Sequence, residues 1–125
     1  MEIKSNLGEI KIANEVIQTI AGLAAVEVFG IVGMYSKSSI KDGLADLMNK
    51  DNFKKGIVVR NDEEKNLHVD AYVIVKYGVK ISEVAFNAQQ GIQYQLKEML
   101  GISVDNVNIY VQDVKVTSEE KELKQ

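Results

Sequence analysis

Leu67-His68-Val69-Asp70-Ala71-Tyr72-Val73-Ile74-Val75-Lys76-Tyr77 places an apolar or aromatic residue at every odd position, with His, Asp, Tyr, Ile and Lys between them. A period of two over this length predicts a β-strand with one buried face and one mixed face. Gly78 stops the strand, and Ser82 is in place to cap a helix running to Leu100. On that helix Ile81, Val84, Ala85, Ala88, Ile92, Leu96, Met99 and Leu100 follow the three-and-four spacing of one apolar stripe. Gly101 stands where a left-handed C-terminal cap is wanted. Strand and helix each offer one apolar face, and burying one against the other satisfies both.

Outward from this unit the chain alternates strands and helices. Met1 to Asn6 reads as a loose leader, and Gly8–Ile12 as a short strand followed by Asn14 as a helix cap. From Glu15 to Phe29, Val16, Ile17, Ile20, Leu23, Ala24 and Val28 make an apolar stripe widened by Ala21, Ala25 and Val26. With so few polar residues, this helix should be the more buried of the two. Gly30 ends it, and Ile31–Tyr35 reads as a short buried strand. Ile40, Leu44, Leu47 and Met48 predict a short amphipathic helix, weakened by Gly43. Gly56–Arg60 is a strand joined to the central one through Asn61–Asn66, a hairpin-length connection, and Val107–Val111 a final strand that can extend to Val116. Residues 117–125 form a polar tail.

The order β-α-β-(α)-β-β-α-β predicts an α+β fold: one domain over residues 1–125, a mixed sheet, and two main helices on one face. The link from the central strand through the long helix to the last strand is a β-α-β crossover, right-handed if both strands share a sheet. The helix-covered face should carry Leu67, Val69, Ala71, Val73, Val75, Val107, Ile109 and Val111. The other should show His68, Asp70, Tyr72, Ile74, Lys76, Asn108, Tyr110 and Gln112.

Composition excludes several chemistries. The 125 residues contain no cysteine, which removes disulfides, thiolate nucleophiles and Cys-based zinc sites, and fits a cytoplasmic location. His68 is the single histidine, so a multi-histidine metal centre is impossible and any Ser-His-Asp triad would have to be built on it; the simpler reading is a solvent-facing side chain. No P-loop or Rossmann glycine pattern occurs. Asp62-Glu63-Glu64 lacks the spacing of a calcium loop and reads as a solvated acidic turn. Net charge is −3, with +1 on residues 1–60 and −4 on residues 61–125, so the overall field does not favour nucleic acid. Gly30-Ile31-Val32-Gly33 matches the G-x-x-G of KH domains, but its apolar middle suits a helix stop and strand start better than a phosphate clamp. Lys50, Lys54 and Lys55 around Phe53 are the one hint of an anionic partner, and a solvated turn accounts for them. No secretory signal or membrane-spanning run is present: Val16–Tyr35, the longest nearly uncharged stretch, contains Glu27 and three glycines.

No catalytic, cofactor-binding or metal-binding residue emerges. What does emerge is Tyr72, Ile74 and Tyr110 on the uncovered sheet face, rimmed by Lys76, Asp70 and Gln112. Either they form a partner surface, since tyrosine-rich patches with polar rims are typical of interfaces, or the short helix around Leu44 and Leu47 covers them.

Gly8-Glu9-Ile10-Lys11-Ile12-Ala13-Asn14-Glu15-Val16-Ile17 opening into Ile20–Ala24, then Glu27-Val28-Phe29-Gly30-Ile31, carries a resemblance. Tyr77-Gly78-Val79-Lys80-Ile81-Ser82-Glu83-Val84-Ala85 leading to Gln89, and Leu100–Val104 leading to Val107-Asn108-Ile109, extend it over residues 8–116. Together these resemble the alkaline shock protein family of Gram-positive bacteria, also called the envelope stress response family. The resemblance implies a small cytoplasmic, non-enzymatic interaction protein serving envelope or alkaline stress. It implies a protein partner, in some members a membrane anchor that holds the protein peripherally, and self-association as an alternative to such docking. It transfers no site residues and implies no cofactor. Short members also resemble those encoded beside a kinase-like fatty-acid-metabolism protein. That leaves open an accessory or ligand-binding role toward a lipid-metabolism enzyme, with a pocket between helices and sheet.

Overall fold

The computed structural model describes residues 1–36, 50–101 and 103–117, residues 50–52 by backbone alone. Its elements are β1 (Glu2–Ser5), β2 (Gly8–Lys11), α1 (Asn14–Val26), β3 (Ile31–Met34), a 3-10 segment (Lys50–Gly56), β4 (Ile57–Asn61), β5 (Leu67–Lys76), α2 (Ile81–Leu100) and β6 (Asn106–Lys115). The fold is α+β, as the pattern predicts. The short helix expected around Leu44 and the 118–125 part of the tail lie outside the described residues.

β5 is the axis of the sheet. β6 pairs with it in parallel over nearly its whole length, from His68↔Asn106 to Lys76↔Lys115. Its other edge is shared: β4 pairs antiparallel along Leu67–Ala71 and β3 antiparallel along Val73–Val75. Where the two short strands abut, the Tyr35 amide donates to the Tyr72 carbonyl at 2.8 Å. The parallel β5–β6 pair with α2 between them is the expected crossover, and the β4–β5 hairpin makes the sheet mixed.

Leu67, Val69, Ala71, Val73 and Val75 are all buried, together with Ile17, Ile20, Ala21, Ala24 and Ala25 of α1 and Val84, Ala88, Ile92 and Leu96 of α2. Both helices therefore cover the odd-numbered face of β5, and α1 and α2 also pack on each other. Six of the 13 residues of α1 are buried against four of the 20 in α2, so the apolar helix is the deeper one. Gly101 caps α2 at φ +75°, its amide bonded to the Lys97 carbonyl at 2.9 Å. Among the described residues no helix is long and apolar enough to cross a membrane.

Several expectations need correcting. Residues 2–5 are not a leader but a strand, paired with β2 in register Glu2↔Lys11, Ile3↔Ile10, Lys4↔Glu9 and Ser5↔Gly8. Asn14 and Ser82 do not cap: the helices begin at Asn14 and Ile81, after the extended residues Ala13 and Lys80, and neither N-cap residue makes a side-chain capping hydrogen bond. Backbone geometry starts both helices, the Ala13 and Lys80 carbonyls accepting first-turn amides at 3.0–3.1 Å. Phe29 lies beyond α1 and is exposed. Val16, Leu23, Ile81 and Met99, assigned to the apolar stripes, are also exposed. Gln112 is a bulge: Val73 pairs with Val111 and Ile74 with Asp113, which leaves Gln112 without a partner on β5. The extra residue shifts the side-chain alternation of β6 by one from there on.

Candidate interaction face of the sheet

Across β4, β5 and β6 the even-numbered side chains of β5 meet their neighbours in register. Asp70 is only 5% exposed, which would be costly for a lone carboxylate. It is not alone: Arg60 donates through Nε to Oδ2 at 2.7 Å and through Nη2 to Oδ1 at 3.0 Å, and Asn108 Nδ2 donates to Oδ1 at 2.9 Å. The Arg60 hydrogen bond holds the Asp70 carboxyl below the usual carboxylate range against the opposing effect of burial, with Asn108 assisting. The bidentate fork also raises Arg60 further above its already high value.

One step along, His68 is engaged at both nitrogens. Asn106 Nδ2 lies 3.0 Å from Nδ1, and Asp62 Oδ2 lies 3.0 Å from Nε2. An amide nitrogen only donates, so Nδ1 accepts and the proton sits on Nε2, directed at Asp62. Neither nitrogen remains to act as a base toward a serine, so no triad is built on His68. Its partner is Asp62 rather than Asp70, and its side chain is 16% exposed rather than solvent-facing.

Asp62 is the residue whose role the sequence hid. Its Oδ1 accepts from the amides of Glu64 and Asn66, both at 2.9 Å, and its Oδ2 accepts from Asn66 Nδ2 at 3.1 Å as well as from His68. These bonds, the His68 one first, hold its carboxyl at about 2. The acidic turn is thus a hairpin organised by one carboxylate, with Lys65 at φ +67°. A depressed carboxyl stabilises the fold above its ordinary value near 3.8, and that contribution disappears as the pH falls through about 2. Asp62→Asn should therefore melt below wild type at neutral pH, with the gap closing between about pH 4 and pH 2. Thermal melts of both proteins across that range check it; a gap independent of pH would contradict it.

Midway along β5 and β6 Tyr72 and Tyr110 stack, ring centroids 4.8 Å apart and 17° from parallel. Tyr110 is 41% exposed, Tyr72 half-buried and Lys76 exposed, whereas Ile74 is 8% exposed. The structure thus brings the two tyrosines into contact and leaves Tyr110 and Lys76 accessible, while Ile74 contributes little surface. A cleft beside them is lined by Tyr35, Ser36, Lys55, Val58, Arg60, Asp70 and Tyr72.

The remaining sequence candidates disperse. Ile31, Val32 and Gly33 lie in β3, and Gly30, at φ +100°, closes against Val84, so the G-x-x-G quartet is not a projecting loop. Lys54 pairs with Glu15 at 3.0 Å and Phe53 packs on Gly22, which splits the basic cluster. The described clefts sit at the margins of the fold, one of them between Phe29, Lys76–Lys80 and the start of α2, not between helices and sheet.

A polar ladder and an aromatic stack are the character of this face. An uncharacterized protein of Bacillus subtilis, YloU, is 51% identical over 118 residues, covering 94% of this chain and 98% of its own length. The uncharacterized protein Spy1614 of Streptococcus pyogenes is 44% identical over 119 residues, covering 95% of this chain and 98% of its own length. A second Bacillus subtilis protein, YqhY, is 32% identical over 119 residues, covering 95% of this chain and 86% of its own length. No solved structure matches. A family model matches residues 2–116, nearly the whole described fold, and on that match the chain belongs to the ASP23 family of alkaline shock proteins, described as having a cell envelope-related function.

Proposed function

We propose that the protein is a non-enzymatic interaction module of the cytoplasm that serves the cell envelope by docking on a membrane-linked protein partner. The observation that carries this reading is the Tyr72–Tyr110 stack, with Tyr110 accessible, beside the hydrogen-bonded Arg60–Asp70–Asn108 group. Rigid tyrosines present large contact area at little entropic cost, and the Arg60–Asp70–Asn108 network behind them fixes the strands that carry them. No described helix is long and apolar enough to span a membrane, and in this reading the partner supplies the membrane link.

The test is a pull-down from native lysate with soluble and membrane fractions kept apart. Wild type should recover a membrane-fraction protein, and the surface variant Tyr110→Asp, Lys76→Glu should recover it at least roughly tenfold less while melting as wild type does. Equal recovery by both would overturn the assignment of this face.

A further inference from the structure

β6 pairs with β5 along one edge, and among the described residues no strand pairs with its other edge. A free edge is a row of unpaired backbone groups, and β5 tells which residues of β6 carry them. Successive residues of a strand turn their N–H and C=O groups to opposite edges. The Tyr72 carbonyl accepts from the Tyr35 amide and the Lys76 amide donates to the Gly30 carbonyl, both at 2.8 Å, so the even residues of β5 face β3. The odd ones face β6, as the Tyr77 amide does in donating to the Lys115 carbonyl at 3.0 Å. With Asp70 opposite Asn108 and Tyr72 opposite Tyr110, it is Asn108 and Tyr110 that bond to those odd residues. Val107, Ile109 and Val111 are left facing outward, up to the bulge at Gln112. Gln89 of α2 agrees: its Nε2 donates to the Val107 carbonyl at 3.0 Å, a group the ladder does not use.

This outward run is bare and apolar. Asn106–Val111 contains neither a charge nor a proline, two of the usual guards of an edge. Phe86 lies three residues before Gln89 on the same flank of α2 and is 56% exposed. Because α2 runs opposite to β6, those three residues, about 4.5 Å at 1.5 Å each, bring Phe86 from the level of Val107 to near that of Ile109. On the other side of the sheet Tyr110, 41% exposed, flanks the same run. The edge therefore specifies an extended backbone, with one apolar side chain for the space between Phe86 and Ile109 and another beside Tyr110. Two occupants from this chain fit badly. A second β6 laid antiparallel about Ile109 sets Val107 against Val111 twice, and meets Gln89 on the Val107 carbonyl both times. The run Glu119-Glu120-Lys121-Glu122 lacks the alternating apolar residues of an added strand.

We propose that the free edge of β6, at Ile109 and Val111, takes up an extended, uncharged segment of a protein partner as an additional strand, with Phe86 and Tyr110 as its side-chain walls. Main-chain bonds supply the affinity and the two walls the choice of sequence. This rests on the reading of the protein as a docking module, and names the chemistry by which its partner is held.

Amide hydrogen exchange followed by NMR on the full chain, alone and with a peptide of alternating valine and threonine ended by lysines, decides it. Alone, Asn108 and Tyr110 should exchange slowly and Ile109 and Val111 fast, both in dilute solution and at about tenfold higher concentration. Slow exchange of Ile109 and Val111 in both would mean that the chain covers its own edge, and in the concentrated sample only, that a second copy does; either overturns the proposal. With peptide at about ten times its dissociation constant, Ile109 and Val111 should slow about tenfold; no slowing at about 1 mM peptide would overturn it. Ile109→Pro removes an amide that faces the free edge, so it should stay folded and lose the slowing at Val111. Phe86→Glu, at an exposed site, should melt as wild type does and bind the peptide about tenfold more weakly. Either variant binding as wild type does would count against the edge. In the membrane-fraction pull-down, a folded Ile109→Pro that recovers as much as wild type, while Tyr110→Asp, Lys76→Glu does not, would overturn the added strand and leave the tyrosine face standing. Wild type that takes the peptide but recovers no membrane-fraction protein would overturn the membrane-linked partner and support the edge.

Discussion

Leu96→Ala is expected to lower the stability of this protein by about 3–4 kcal/mol, within the usual range for emptying a fully buried leucine site. Leu96 is completely buried on α2, in line with Val84, Ala88 and Ile92 and in the same cluster as the β5 valines. The removed methyl groups lose their burial, and a helix pinned at both ends by the Gly78 turn and the Gly101 cap cannot collapse freely into the gap. For a chain of this length the loss corresponds to a fall in melting temperature of roughly 10–15 °C. Met99→Ala, one turn on and 65% exposed, is the control and should change stability by less than about 0.5 kcal/mol. Chemical denaturation of the two variants beside wild type checks the pair. A Leu96 loss below about 1 kcal/mol would mean that α2 does not close over β5 and β6 as described.

The second large effect has an unexpected sign. Alanine in place of a helical glycine normally stabilises by about 1 kcal/mol. At Gly22 of α1 the added Cβ would lie 2.7 Å from Phe53 Cδ2 and 2.9 Å from the Phe53 carbonyl oxygen. A ring can rotate away; a backbone carbonyl can move only with its segment. Overpacking of this kind costs about 1–3 kcal/mol; set against the helix preference of about 1 kcal/mol it leaves a net loss of up to about 2 kcal/mol, so Gly22→Ala should melt below wild type by up to about 8 °C. At Gly91 of α2 nothing stands within 4 Å of the added atom, and Gly91→Ala should melt about 2–4 °C above wild type. Melting both variants alongside wild type tests the docking of the 3-10 segment on α1: two glycines that behaved alike would show that Phe53 is not seated there.

Period-two and three-four patterning gave β5, α2 and the sheet face that the helices cover, because those are the elements whose burial is one-sided and whose residues say so. It placed Asp70, Tyr72, Tyr110 and Lys76 on one face correctly for the same reason. It missed β1, since Glu2-Ile3-Lys4-Ser5 is too short to show a period and becomes a strand only through its register with β2. It assigned Val16 and Leu23 to the core because α1 is apolar around most of its circumference, and periodicity cannot say which side is turned to the sheet. The Gln112 bulge left no mark in the alternation Val107-Ile109-Val111 that precedes it. Asp62 was hidden in a run of acids: only the closed hairpin shows that one of the three carboxylates accepts four hydrogen bonds and its neighbours none comparable. The signal available was its distance from Asn66, the four-residue reach of an aspartate that folds back on its own turn.

Because β3 and β4 meet end to end on one margin of β5, the chain leaves the sheet after Met34 and returns at Ile57 to almost the same point. The added Cβ of Gly56 would stand 2.8 Å from Met34 Cβ and 3.0 Å from the Tyr72 carbonyl oxygen. An excursion whose two ends coincide is tolerant of length: doubling it adds only about 0.6 kcal/mol of closure entropy, and no strand has to shift. Both ends of the span between Tyr35 and the 3-10 segment are therefore held at one margin of β5, so a change in its length leaves the β3–β5 and β4–β5 pairings in place.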